Sequence, residues 1–342
     1  MKPDEQFLPL LKRVANGETL GGEDSMRAFS AIMTGEVSEI RTAAFLTALA
    51  MRKPTIAEIA GAVEAMRSHM RAIRAPAGAI DMCGTGGDGH GTLNVSTAAT
   101  FVVAGCGVPV AKHGNRNMSS KTGAADVLEA LNVKVDVPPN VAEACLREAH
   151  LCFLFAQIYH PAVKHVANVR RTLGFRTIFN LLGPLCNPAG VKRQLLGVFQ
   201  SDWMVPVASV LDLMGAEKAW VVHGADGMDE MTTTAATAVS ILDRGRITQR
   251  MVRPTDVGLP TATLEDLKGG TADENADAIR KLLGGRAGAF RDIVLFNAAA
   301  ALVVADRVTD LRDGISVAAD SIDSGRARRS LEALIDASRS AA

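Results

Sequence analysis

The chain has 342 residues, which at roughly 150 per domain points to about two domains. Lys+Arg and Asp+Glu are 37 each, so the broad basic footprint of a non-specific nucleic-acid binder is missing. Aromatics at 4% leave little for base-stacking platforms, and 48% apolar residues suit an ordinary core of Ala, Val, Leu, Ile and Met.

The first 75 residues read as helices. Ile56, Ile59, Val63, Met66 and Met70 recur at steps of three and four, with Thr55 and Glu58 placed as a capping box. Met26, Phe29, Ile32 and Met33 make a second stripe, and Phe45, Leu46 and Leu49 a third. The texture changes near Pro76, where short apolar runs begin to alternate with glycines and amphipathic segments. Residues 102–110, 152–155, 195–199 and 219–222 are strand-like. Residues 122–131, 141–150, 204–214 and 272–283 are helix-like, and 287–305 and 327–338 read as closing helices. The expected fold is α/β: a small N-terminal helical bundle domain over 1–75, then a larger α/β domain over 76–342. The larger domain is expected to hold a central, largely parallel sheet flanked by helices. A helical segment near 160–190 is expected to return to the first domain.

Cys83, Cys106, Cys145, Cys152 and Cys186 are odd in number and lack CxxC spacing, which reads as reduced thiols rather than disulfides or a zinc site. The opening stretch MKPDEQFLPLLKRV lacks the basic region and long apolar core of a signal peptide. No apolar run reaches the roughly 18 residues of a membrane span. A cytoplasmic protein is expected.

Four stretches hold chemistry. In DMCGTGGDGHGTLNVST, from Asp81 to Thr97, glycines stand at 84, 86, 87, 89 and 91, between a strand-like and a helix-like segment. Glycine lets backbone N–H groups approach a phosphate, and a helix start offers free N–H groups and a positive dipole end. The stretch is a phosphate cradle, without the GK[ST] of a Walker loop or a GxGxxG dinucleotide fingerprint. KHGNRNMSS, from Lys112 to Ser120, follows a strand-like run and brings cations suited to phosphate. Arg170, Arg171 and Arg176 followed by FNLLGPLCNP read, by spacing alone, as a solvent-facing helix and a rigid double turn. In VVHGADGMDEM, Asp229 and Glu230 form a carboxylate pair suited to a hard cation, or an exposed acidic turn.

GTGGD, NVST, KHGNRNMSS, ADVLEALNV, YHPAVKHVANVRRTLGFRTIFNLLGPLCNP and HGADGMDE, in this order and spacing, resemble the tryptophan-pathway branch of the nucleoside-phosphorylase-like phosphoribosyltransferases. The resemblance covers nearly the whole chain. It implies a pentosyltransferase that joins anthranilate to 5-phosphoribosyl 1-diphosphate, giving N-(5-phosphoribosyl)anthranilate and diphosphate. It implies two magnesium ions per site, a homodimer through the helical domain, and no nucleic-acid or membrane partner.

Carried over to this sequence, it places Gly84, Gly87, Asp88 and Thr92 against the diphosphate and ribose, with Asn94, Val95, Ser96 and Thr97 completing the loop. Lys112, His113, Gly114, Asn115, Arg116, Asn117, Met118, Ser119 and Ser120 would wrap the phosphates. Gly84, Asn115 and Arg170 would meet anthranilate, with Arg170 on its carboxylate, and His113 and Gly183-Pro184 would line its path. Ser96, Asp229 and Glu230 would hold the metals, Glu230 bridging two. No residue is implied as a general base. Three positions depart from the usual pattern: Leu93, Asn117 and Ala124, the last limiting any phosphate contact there to its backbone. The rival readings are a pyrimidine nucleoside phosphorylase on the same fold, or a non-catalytic nucleic-acid-binding relative. The second expects eroded metal ligands and a basic excess, and this sequence has neither.

Overall fold

The computed structural model describes residues 3–116 and 122–340. Helices α1 (Pro3–Ala15), α2 (Gly22–Met33), α3 (Glu39–Arg52) and α4 (Ile56–Ser68) come first. Their apolar stripes meet in a core that contains Phe7, Phe29, Phe45, Leu46, Ile59 and Val63. Thr55 opens α4 with the expected capping box: its Oγ1 accepts from Glu58 N at 3.3 Å, and Glu58 Oε2 accepts from Thr55 N at 2.8 Å. Burial pushes the Glu58 carboxyl up, but Arg52 at 2.5 Å and the Thr55 and Leu20 N–H groups outweigh it and leave it below its usual range. Not every expected stripe position is inside. Met26 and Ile56 are exposed, and Met70 lies beyond the end of α4.

Seven strands follow: β1 (Ile80–Gly84), β2 (Val110–Gly114), β3 (Leu151–Phe155), β4 (Arg193–Gly197), β5 (Lys218–Gly224), β6 (Thr237–Asp243) and β7 (Arg246–Val252). They form one sheet in the order β3-β2-β1-β4-β5-β6-β7, parallel from β3 to β5, with β6 and β7 added antiparallel. Between the strands run α5 (Val95–Gly105), α6 (Ala124–Ala130), α7 (Pro139–Ala149), α8 (Ala156–Tyr159), α9 (Lys164–Leu173), α10 (Phe179–Leu185) and α11 (Met204–Leu213). Helices α12 (Ala272–Leu283), α13 (Ala289–Val304), α14 (Leu311–Asp323) and α15 (Arg326–Ser340) close the chain.

Two expectations are corrected. Residues 102–105, read as the start of a strand, end α5, because an apolar run buried all round has no period that separates helix from strand. Of the double turn expected at Gly183-Pro184 and Asn187-Pro188, the first half is the end of α10, held through Pro184 by burial of Phe179, Leu181, Leu182 and Leu185, and the second is a turn.

The strands divide two cores. Leu195, Trp220 and Val222 belong to one, with α5, α7, α13 and α15. Leu196, Ala219 and Val221 belong to the other, with the first four helices, α9, α10 and α11. The chain runs β1, β2, β3 outward in one direction and returns with β4 on the opposite side of β1. That reversal opens a crevice at the carboxyl ends of β1 and β4, where open α/β sheets receive ligands. Among the described residues, no helix is long and apolar enough to cross a membrane. All five cysteines are buried and free.

Candidate active site

Gly84 and Gly197 are register partners at the carboxyl ends of β1 and β4. Asp229, on the loop after β5, lies on both. A Cβ on Gly84 would stand 2.3 Å from Asp229 Oδ2, so only glycine leaves room for the carboxylate. Gly86 N donates to the same oxygen at 2.7 Å. The loop beyond β1 turns through Gly86, Gly87, Gly89 and Gly91, all with positive φ, and this is why it is written in glycine. It leads into α5, whose Ser96 N–H donates to Glu230 Oε1 at 3.2 Å. Glu230 thus caps the positive end of the helix. Lys112 is buried beneath, its Nζ donating to Met82 O at 2.6 Å and Ser96 Oγ at 3.3 Å.

Burial and the nearby Asp88 push the Asp229 carboxyl up to about 6, and burial and Asp229 push Glu230 up to about 8. A buried and a half-buried carboxyl on adjacent residues suit an added cation. Each uses one oxygen on a backbone N–H, and the others, with Ser96 Oγ, form an all-oxygen donor set of the kind magnesium prefers. Among the described residues, no group of three or more His, Cys, Asp and Glu side chains is placed to hold a metal. Phosphate oxygens and water are the natural source of the remaining ligands.

The cradle, Asp229, Glu230 and the α9–α10 turn surround a cleft of about 1090 Å³. A second cavity of about 740 Å³ adjoins it, lined by Met66, His113, Asn115, His160, Phe179 and Pro184 among others. Arg170 and Asn180 line both. Arg170 stacks its guanidinium over the Phe179 ring at 5.4 Å. His113 Nδ1 is 3.0 Å from Gly183 O, so it holds the proton and Nε2 keeps a lone pair without a partner. Burial and the neighbouring His160 lower His113 to about 3, and burial lowers His160 to about 4. Both rings are neutral at pH 7.

Gly87, Asp88, Thr92, Asn94, Val95 and Ser96 line the larger cleft. Gly84, His113, Gly114, Asn115 and Arg116 line the smaller one. Thr97 and Lys112 are buried and Ala124 is half-buried, and none of the three lines either cavity. The Arg116 guanidinium is engaged by Asp126 at 2.7 Å and Glu129 at 2.5 Å. Asn117, Met118, Ser119 and Ser120 lie outside the described residues.

Several cleft residues escape sequence reasoning. Lys268 and Asn275 line the larger cleft from far along the chain and carry no motif. Arg176 lies over Phe199 at 4.3 Å and donates to Gly87 O. Asp81, fully buried in β1, accepts from His113 N at 3.1 Å and Asn187 Nδ2 at 2.7 Å, and so ties β1 to β2 and to the 183–188 segment. A lone acid inside a strand was the available signal for Asp81.

Comparisons with known proteins agree with this geometry. The family model described as "Glycosyl transferase family, a/b domain" matches residues 77–328, and that described as "Glycosyl transferase family, helical bundle domain" matches 8–70. An anthranilate phosphoribosyltransferase of Xanthobacter autotrophicus is 52% identical over 330 residues, 96% of each chain. One from Rhodopseudomonas palustris is 52% identical over 336 residues, 98% of this chain and 99% of that one. Among solved structures, the Thermus thermophilus anthranilate phosphoribosyltransferase superposes with a TM-score of 0.92 at 41% identity, covering 99% of this chain and all of that one. The Saccharomyces cerevisiae enzyme, solved in complex with PRPP and Mg, gives 0.90 at 28% identity over 98% and 99%. With both domains matched in order and relatives aligned end to end, the chain belongs to the anthranilate phosphoribosyltransferase family of glycosyl transferases.

Proposed function

We propose that the chain transfers the phosphoribosyl group of 5-phosphoribosyl 1-diphosphate to the amine of anthranilate, releasing diphosphate. The observation that carries this is the meeting of two unlike cavities at Arg170. One is a glycine cradle with a carboxylate pair, the other a pocket walled by Phe179, Pro184 and two neutral histidines. The Saccharomyces cerevisiae relative is also solved with 4-fluoroanthranilate, which supports an aromatic acceptor.

The bond from the anomeric carbon to diphosphate oxygen breaks towards an oxocarbenium-like state while the amine nitrogen approaches. The chain's tasks are to hold the leaving group and orient the amine. The loop N–H groups not already given to Asp229, Glu230 or the backbone would meet the diphosphate, at the positive end of α5. Asp229, Glu230 and Ser96 would hold magnesium, two ions per site in this reading, and the metal would neutralise charge on the leaving group. Arg170 fixes the anthranilate carboxylate. The aromatic amine is already neutral at pH 7, and once bonded to the anomeric carbon its nitrogen is acidic enough to give its proton to water or to the departing diphosphate, so no strong general base is needed. His113, held near 3, offers its free Nε2 as a hydrogen-bond acceptor rather than as a base.

The reading includes a homodimer through the N-terminal helices, a cytoplasmic location and a division near residue 75. Exposed Ile40 and Met51 on α3 support the interface. The test is anthranilate fluorescence followed with and without 5-phosphoribosyl 1-diphosphate and magnesium. Loss of signal only when both are present supports the assignment. Phosphorolysis of thymidine or uridine in place of that reaction would overturn it.

A further inference from the structure

Asn94 stands at the position before α5 from which an asparagine side chain ordinarily accepts a hydrogen bond from the first helical turn. It makes no such bond. Its amide is held from elsewhere: Asn275 Nδ2, on α12, donates to Asn94 Oδ1 at 2.9 Å. Asn275 is 2% exposed, and its own Oδ1 accepts from Gly270 N at 2.8 Å.

The polarity of this chain is set from one end. A backbone N–H can only donate, so the Asn275 atom facing Gly270 is oxygen and the atom facing Asn94 is nitrogen. The Asn94 atom it meets is therefore the acceptor oxygen. That leaves the Asn94 NH2 group, from which no described residue accepts. Both asparagines line the larger cleft. The residues just before Gly270 are registered against the glycine loop. Leu93 N donates to Leu267 O and Gly269 N to Gly91 O, both at 2.9 Å.

We propose that Asn275 is a positioning residue that turns the Asn94 carboxamide so that a donor, not an acceptor, meets the oxygens of the phosphoribosyl substrate. This rests on the 5-phosphoribosyl 1-diphosphate reading of the cleft. The two residues are 181 positions apart, on different elements.

The test uses Asn275→Asp and Asn275→Ala. Aspartate keeps the shape and still accepts from Gly270, but it presents an acceptor to Asn94, which must turn its oxygen towards the anionic substrate. Alanine leaves Asn94 free to take either orientation. Calorimetric binding of 5-phosphoribosyl 1-diphosphate with magnesium should be tightest in wild type, weaker in Asn275→Ala and weakest in Asn275→Asp. The last should lose roughly tenfold to a hundredfold, the scale of one hydrogen bond to a charged group. KM for anthranilate should hold steady, and the melting temperature of Asn275→Asp should stay nearer wild type than that of Asn275→Ala. A purely structural role predicts the opposite order, with affinity following melting temperature.

Asn94→Ala separates the relay from the added charge. In that background, Asn275→Asp should weaken binding no further. If it weakens binding as much as in wild type, the charge acts directly and the relay is overturned. An Asn275→Asp variant that binds like wild type also overturns it. A wild type that fails to bind the substrate overturns the reading of the cleft, and the relay with it.

Discussion

Gly197 lies directly beneath Asp229: a Cβ on Gly197 would stand 1.6 Å from the Asp229 carbonyl oxygen. No rotamer relieves a clash with backbone, so Gly197→Ala must push the acidic loop off the end of β4. Overpacking of this kind costs about 1–3 kcal/mol. The variant should melt lower, turn over slowly and need far more magnesium. Thermal unfolding and a magnesium titration check this, and an unchanged magnesium requirement would show that Asp229 is not held by the strand end.

Removing magnesium should stop turnover, and so should removing its ligands. Asp229→Asn with Glu230→Gln keeps an acceptor for Gly86 N and for Ser96 N, so the fold should persist while activity drops by orders of magnitude. Circular dichroism and turnover, with and without chelator, are the measurements. Full turnover in verified metal-free protein would sink the metal assignment.

Arg170→Ala should weaken anthranilate and spare the diphosphate substrate. No described carboxylate pairs with Arg170, so its charge is left for a ligand. Loss of a charged hydrogen bond is worth about 1.5–3 kcal/mol, or roughly tenfold to a hundredfold in affinity. Arg170→Lys keeps the charge but loses the fork and should fall between. Titrating each substrate at saturation of the other decides it. Loss confined to the diphosphate substrate would make Arg170 a phosphate ligand.

The neutral histidines predict an acid-sensitive fold. Their folded values, about 3 for His113 and about 4 for His160, lie below the usual 6.5. Above 6.5 both are neutral in either state and the terms cancel. As pH falls through 6.5 the unfolded chain takes up protons that the folded chain refuses, so stability drops and levels off only near the folded values. His160→Gln should remove a share of that drop, on the order of 2 kcal/mol by about pH 4.5. Denaturant unfolding of both proteins at neutral and acid pH measures it, and parallel profiles would refute the account.

Ile40 and Met51 are 83% and 85% exposed. They sit three turns apart on one face of α3. Changing both to Glu should convert a dimer to a monomer in light scattering. A monomeric wild type at micromolar concentration would remove the dimer proposal.

The parts of the site that were legible in the sequence are those whose chemistry is local. Five glycines in eight residues favour a backbone cradle over an ordinary tight turn, and Thr55 with Glu58 can be read as a cap without any tertiary knowledge. Asp229 and Glu230 were visible as a pair, but the burial that sets Asp229 apart from an exposed acidic turn comes from Gly84 and Gly197 beneath it. Arg170 took its role only from the family resemblance, because a basic residue on a short helix is normally solvent-facing. Asn275 and Lys268 were not legible at all, since nothing within their own segment shows which loop they meet. The β6–β7 hairpin was missed because β7 is mostly exposed and its sequence, RITQRMV, has weak alternation.

One consequence follows from the shared core. Phe29 packs edge-on against Phe179, with ring centroids 5.8 Å apart, and Val166, Leu182, Leu196 and Val221 fill the same interior. While the chain is being synthesised, the first four helices leave the ribosome with that surface bare. They cannot bury it until β4 and β5 have been made. The long-range contacts that complete the bundle also bring Arg170 to the mouth of both cavities. Asp229, Glu230, Lys268 and Asn275, which complete the cleft, are made later still, so the bundle and the cleft both wait for distant parts of the chain.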